Sequence, residues 1–391
     1  MKSDIIYKLE GRMTADNAVK IGEDLLYENP DIIDAEKLAY ISSAGLRSLL
    51  RLAQSRESCE GKIRIINVNP AIYEILEQTG FTEFFSVEKK LREVTAEGCP
   101  VIGKGYCATV YRLDRERIIK VYDAPRHAHD LSLVTNDREI SKKIFMLGLP
   151  SLISYEVVLC DGFYAGIYEL INGDTLGNTI FREPDKLEKY VRELAAIGRR
   201  MNSITDDKGD FPTNNTLTRR RERLIPWLSK EEMDHIDSLI SVIPDPHRLV
   251  HGDYHVENVM VQNGELVMID VGGFSNGHPV IDLLCLYMKT VEPDYLKTKL
   301  TPEQNKRIWE CYIKEYFEDK MTPEAEEALE SVLSLFTDLF MIPTSCIIAS
   351  SQDDPSPEVF ETMRLRLTRI LQVTPETLRK HFEVIDSILY S

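Results

Sequence analysis

Short alternating runs and amphipathic stretches follow one another over residues 1–95. Ile5 to Leu9 alternate as a strand, and Thr14 stands where it can cap a helix with Ala18, Ile21 and Leu25-Leu26 at helical spacing. A second strand region runs from Asp31 to Ile41, and Ser42-Ser43-Ala44-Gly45-Leu46 opens a helix through Leu49, Leu50 and Ala53. Ile63 to Val68 reads as a strand. Asn69-Pro70 starts a further helix through Ile72, Ile75 and Leu76, which Gly80 ends. This alternation predicts a small sheet covered by helices. The charged stretch from Glu88 to Pro100 reads as the joint to a second domain.

The pattern then changes. Val101 to Tyr111 reads strand, Gly-containing turn, strand, and Arg117 to Tyr122 is a strand with one Lys among apolar residues. Arg138-Glu139-Ile140 starts a helix with Ile140, Ile144 and Leu147 on one face, closed by Gly148. Phe163 to Ile171 is another apolar run. Residues 185–240 and about 301–391 are mainly helical by spacing. Between them, Asn263-Gly264 separates two short apolar runs and marks a hairpin. The expected organisation is a domain over 1–95, a small lobe over 96–171 and a larger, mostly helical lobe over 172–391.

A length of 391 residues gives room for that much core, and the net charge of −17 narrows the partners. The charge is −3 over residues 1–95 and −14 over the remainder. Nucleic-acid and anionic-membrane binders need a basic surface, so neither partner is expected. No leader-like segment or membrane-length apolar run is present, and the seven cysteines contain no Cys-x-x-Cys pair. Reduced thiols in a cytoplasmic protein are the expectation. The basic run Arg219–Arg223 reads as a solvated helix face.

The chemistry concentrates in VHGDYHVENVMVQNGELVMIDVGGF, residues 250–274. The hairpin brings Asn258, just before its first strand, close to Asp270, just after its second, and Asp253 lies on the loop feeding the same end. These oxygen donors suit Mg²⁺, which completes its shell with water and phosphate oxygens. Phosphoryl transfer in the kinase architecture uses one Asp as base, with an Asn and a second Asp on the metal. Asp253 is therefore assigned as base, and Asn258 and Asp270 as metal ligands. Gly103, Gly105 and Val110, in the first hairpin of the small lobe, are candidates for nucleotide binding. So is Lys120, embedded in an apolar run, whose ammonium must point at a partner. Glu139 is preferred to Glu156 as its partner.

HGDYHVENV followed by IDVGG resembles the aminoglycoside phosphotransferase and choline kinase branch of the kinase-like superfamily. That resemblance implies an α+β two-lobed fold and ATP as phosphoryl donor, with GTP left open. It implies a hinge at YELINGDTL, where Glu169 and Ile171 would carry the nucleotide contacts, and a structural Asp282 supporting the catalytic loop. His278 reads as a loop residue. LAYISSAGLRSLL, IRIINVNPAIYEILEQTGFTEFF and EGRMT resemble the STAS domain of anti-sigma-factor antagonists. This implies an α/β fold for residues 1–95, a protein partner, and phosphorylation at Ser43, the matching hydroxyl. The activity expected is transfer of a phosphoryl group to a small-molecule hydroxyl. The rivals are a protein serine kinase and an inactive kinase fold that serves in binding alone. The distance from Asp270 to Asp282 is short and lacks Ala-Pro-Glu, which disfavours an extended peptide substrate.

Overall fold

The computed structural model describes residues 5–56, 62–105, 107–125, 130–292, 299–350 and 357–390. Over the first part the chain runs β1 (Ile6–Lys8), β2 (Gly11–Met13), α1 (Ala18–Glu28), β3 (Ile32–Asp34), β4 (Leu38–Ile41), α2 (Ser43–Ser55), β5 (Arg64–Val68), α3 (Pro70–Gln78), β6 (Ser86–Lys89) and β7 (Arg92–Val94). Strands β1, β3, β5 and β6 form a parallel sheet in the order β1-β3-β5-β6, and β2 pairs with β4 in parallel. Ile33 and Ile65 from this sheet pack with Leu25 of α1 and with Leu49 and Leu52 of α2. The helix starts obey local chemistry. Ser42 precedes α2 and accepts the Gly45 N–H at 3.2 Å, and Asn69 precedes α3 and accepts the Ile72 N–H at 3.0 Å. Thr14 does not cap α1. The residue before that helix is Asn17, whose Oδ1 turns back to accept the Thr14 N–H at 2.8 Å.

The next part begins with β8 (Val101–Lys104), β9 (Thr109–Arg112), β10 (Arg117–Val121), α4 (Leu131–Met146), β11 (Ser154–Cys160) and β12 (Phe163–Glu169). Strands β8, β9, β10 and β12 are joined by antiparallel ladders, with Lys120 opposite Gly166. Then come β13 (Asp174–Thr175), α5 (Leu176–Arg182), α6 (Leu187–Asn202), α7 (Thr216–Glu222), α8 (Lys230–Ile240), β14 (Arg248–Val250), β15 (Val259–Gln262), β16 (Glu265–Met268), β17 (Ser275–Gly277), α9 (Val280–Thr290), α10 (Pro302–Tyr316), α11 (Pro323–Ser350), α12 (Pro357–Gln372) and α13 (Pro375–Leu389). A single large apolar core joins α6, α9, α10, α11 and α13, with Tyr254, Phe274, Phe336 and Phe382 fully buried in it.

The chain forms two compact units. One is Met1–Glu97 with Val157–Phe163, and the other is Gly98–Glu156 with Tyr164–Ser391. Residues 157–163 belong with the first unit because β7 pairs in parallel with Val158–Cys160, and Asp161 accepts the Ala96 N–H at 2.9 Å. Among the described residues no helix is long and apolar enough to cross a membrane.

Asn263 and Gly264 both have positive φ, +54° and +86°, so the turn between β15 and β16 has the left-handed pair that matches strand twist. The partner of this hairpin on its other side is β13. Gly173 allows that pairing: a Cβ there would run into the carbonyl oxygen of Val261. Gly173→Ala should therefore force β13 off β15 and lower stability by about 1–3 kcal/mol, the usual cost of overpacking. Urea denaturation measures it, and an unchanged midpoint would contradict the close approach.

Candidate active site

The loop from His251 to Asn258, which carries Asp253, is anchored at its start. Asp282, buried in the first turn of α9, accepts the backbone N–H of Gly252 at 2.9 Å, that of His251 at 3.1 Å and the Asn202 side-chain amide at 3.0 Å. Burial pushes its carboxyl above the usual range, and these donors act in the opposite direction. His251 is fully buried against Phe274, and its Nε2 lies 3.2 Å from the Ile269 carbonyl oxygen. Gly252 takes a positive φ of +81°, and a Cβ there would sit 3.2 Å from the Gly273 carbonyl oxygen.

On that support the three sequence candidates converge. Ile269 donates its N–H to the Asn258 carbonyl at 2.9 Å, which closes the hairpin and puts Asp270 beside Asn258. Asn258 Nδ2 donates to Asp253 Oδ2 at 2.8 Å and to the Asp253 carbonyl at 2.9 Å. Asp253 and Asp270 are both more than half exposed. Partial loss of water around its carboxyl would raise the Asp253 pKa, but His255, His251 and Asn258 outweigh it and hold it at about 2. Lys120 holds Asp270 below the usual carboxylate range, while the charge of Asp253 pushes Asp270 up. Asp270 itself is left-handed, at φ +58°. Such a conformation for a non-glycine residue is uncommon and clusters at functional sites.

Lys120 lies between two carboxylates. Its Nζ is 2.7 Å from Asp270 Oδ1 and 3.5 Å from Asp137 Oδ2. Burial works against its charge, but Asp137 and Asp270 outweigh that cost and raise its pKa above the ordinary value. Asp137 is buried and also accepts the hydroxyls of Tyr122 at 2.5 Å and Tyr168 at 2.6 Å, both on the same Oδ2. Two glycines make room for this cluster. A Cβ on Gly166 would lie 2.6 Å from the Tyr168 ring, and one on Gly272 would lie 2.5 Å from Asp137 Oδ1.

This overturns the expectation for Glu139. Its side chain is half exposed and its ion-pair neighbour is Arg138, at 3.9 Å. Asp137 takes the place assigned to it, because two residues along a helix is a turn of about 200°. The buried face of α4 carries Asp137, Ile140, Ser141 and Ile144. Extending the Ile140–Ile144 stripe back by three residues would have found Asp137 in the sequence.

The other candidates are spread over both lobes. Gly103 and Val110 face each other across β8 and β9, and the Gly105 N–H donates to the Ala108 carbonyl at 2.9 Å; Tyr106 lies outside the described residues. Neither Gly103 nor Gly105 has positive φ, and a Cβ on either would meet only ordinary contacts. Glu169 ends β12 opposite Arg117. Ile171 is buried with Leu152 and Tyr168 against Ile118, Met260, Val267 and Ile269, an apolar patch beside the hairpin that carries Asn258 and Asp270. Ser43 is exposed in the first turn of α2. His278 is buried rather than an open loop residue, and its Nε2 lies 2.9 Å from Asp386 of α13. Within the basic run, Arg221 pairs with Asp237 through two bonds of 2.6 and 2.5 Å, and Arg220 lies over the Phe340 ring.

Among the described residues no group of three or more His, Cys, Asp or Glu side chains is arranged to hold a metal ion. Two carboxylates and one amide fit a cation that takes its remaining ligands from water and phosphate, which is how Mg²⁺ binds with nucleotides. Such an ion would also offset the repulsion between Asp253 and Asp270.

The two-lobed fold is that of the kinase-like phosphotransferases. The chain belongs to the phosphotransferase enzyme family named APH, whose model matches residues 101–319, and residues 2–94 match the STAS domain. Over 97 residues, 24% of this chain and 83% of the relative, the chain is 31% identical to BtrV of Bordetella bronchiseptica, a protein named as a putative anti-sigma factor antagonist. The fold is similar to that of amicoumacin kinase hAmiN, solved with AMP-PNP, Ca²⁺ and its ligand Ami. The TM-score is 0.51 at 13% identity, covering 80% of this chain and 96% of that one. A choline/ethanolamine kinase family protein from Mesorhizobium loti aligns with a TM-score of 0.46 at 16% identity, covering 73% and 92%.

Asp137→Ala should cost on the order of 3 kcal/mol, because it leaves a buried ammonium with one partner fewer. It should also weaken Mg·ATP binding. Glu139→Gln should change neither by a measurable amount. Denaturation and calorimetry on the two variants check this, and the opposite ranking would restore Glu139.

Proposed function

We propose that this protein transfers the γ-phosphoryl group of ATP, bound with Mg²⁺, to a hydroxyl group of a small molecule. The observation that carries this reading is the convergence of Lys120, Asp253, Asn258 and Asp270, with Lys120 only 2.7 Å from Asp270. Asp253 would accept the proton of the attacking hydroxyl, and a carboxylate with a pKa of about 2 is ionised at neutral pH. Lys120 would meet the phosphates, while Asn258 and Asp270 would hold the metal through oxygen. The ion, when bound, supplies neutralisation of the charge on the phosphate oxygens. The protein's part is positioning and electrostatics.

A small acceptor is favoured over a protein substrate by the stretch after Asp270. It forms a tight turn over Val271–Gly273, the three-residue strand β17 and then α9, with no extended platform. Asp253→Asn should lower turnover at least about a hundredfold with nucleotide affinity nearly unchanged. Asp270→Asn should weaken Mg·ATP binding measured by calorimetry, because a charged ligand is lost. An ATP-consumption screen across hydroxyl metabolites and aminoglycosides identifies the acceptor class. Mg·ATP binding without turnover on any acceptor would favour the inactive, binding-only reading.

The STAS domain is proposed to bind a protein partner and to regulate the transferase through Ser43. Its support is the likeness to BtrV and the exposure of Ser43 beside the capping Ser42. A phosphate there would meet the free N–H groups of the helix start. Ser43→Asp in the full chain should change the basal ATP turnover. Identical rates for wild type, Ser43→Asp and Ser43→Ala would leave the domain as a recruiting module alone.

A further inference from the structure

His255 is not explained by the roles given so far. It is buried, yet it lies two residues beyond the exposed Asp253 and turns back toward it. Its Nε2 is 3.1 Å from Asp253 Oδ1. Its Nδ1 is 3.2 Å from the backbone nitrogen of Glu257 and accepts that N–H. A backbone N–H is always a donor, so Nδ1 has to present its lone pair, and the ring hydrogen belongs on Nε2. The loop thereby selects a tautomer that donates to Asp253. Glu257 is fixed in turn by the Thr175 hydroxyl, which donates to Glu257 Oε2 at 2.8 Å.

Asp253 is therefore gripped at both oxygens, by His255 on Oδ1 and by Asn258 on Oδ2 at 2.8 Å. Each carboxylate oxygen has two lone-pair sites, so one remains on each to receive an acceptor hydroxyl. Without His255 the exposed carboxylate would keep one tether and could rotate about its last side-chain bond. A misplaced base loses rate without losing nucleotide affinity.

Resting on the reading of Asp253 as base, we propose that His255 is a positioning residue of the transfer, whose Nε2–H, oriented by the Glu257 backbone, holds the Asp253 carboxylate in its working rotamer. The tautomer is read directly. A long-range ¹⁵N–¹H correlation of the histidine rings in the full chain should show His255 protonated at Nε2 and not at Nδ1. The Nδ1–H form would overturn the proposal without any reference to activity.

Kinetics supply the second arm, with Mg·ATP as probe and water as the default acceptor. His255→Leu should lower turnover about tenfold to a hundredfold with the KM for ATP within about twofold, a split expected of a group that orients the base. His255→Gln, which keeps an amide donor near the Nε2 position, should restore most of the rate, and its melting temperature controls for folding. In the Asp253→Asn background, His255→Leu should cost nothing further, because groups acting through one another are not additive. Equal loss in the Leu and Gln variants, or full additivity with Asp253→Asn, would overturn the role. A dead Asp253→Asn variant beside a fully active His255→Leu variant would sink the role of His255 alone. Wild-type turnover in Asp253→Asn would remove the base assignment, and the role of His255 with it.

Discussion

The geometry of the site depends on one buried carboxylate. An ionised carboxylate inside a protein costs several kcal/mol unless donors replace its water, and Asp282 has three of them. Two are the backbone N–H groups of His251 and Gly252, so satisfying Asp282 fixes the path of the loop that carries Asp253. The third belongs to Asn202 of α6, whose own oxygen accepts the Tyr316 hydroxyl of α10 at 2.7 Å. The loop is thereby anchored to three helices of the large core, and His251 extends the anchoring to Ile269, between β16 and Asp270.

The small lobe contributes a second charged centre organised on a different plan. A helix acid shared by one lysine and two tyrosine hydroxyls needs close backbone approach on two sides. Gly166 and Gly272 supply it, one from β12 and one from the turn after Asp270. A short acid suits this place: Asp137 reaches Oδ2 toward three donors while Asn136 beside it donates to the Gly272 carbonyl at 3.3 Å. The glycine pair after Asp270 is thus a packing requirement as much as a flexible turn.

Much of this arrangement was legible in the sequence. Asn263-Gly264 specified the hairpin, and a hairpin of that length has to bring Asn258 next to Asp270. Ser42 and Asn69 announced their helices because capping is a local interaction. Asp137 was missed because the sequence pattern starts that helix at Arg138, whereas α4 begins at Leu131 and carries Asp137 on its buried face. Tyr122, Tyr168 and Asn202 carry no local signal. Their roles come from partners 15, 31 and 80 residues away. The capping role expected of Thr14 failed for a local reason too, since Asn17 turned its side chain backwards.

The contact between Lys120 and Asp270 has one further consequence. Each is the other's nearest opposite charge, and a ligand that takes Asp270 leaves Lys120 with Asp137 alone, at 3.5 Å. A metal ion arriving alone would share Asp270 with an ammonium, and a nucleotide arriving alone would have to draw Lys120 away from a carboxylate. Arriving together, they give both groups replacements at once. On the proposed function, linkage then requires each to raise the other's affinity by the same factor. The resting ion pair would make the site a detector of the complex, not of its parts.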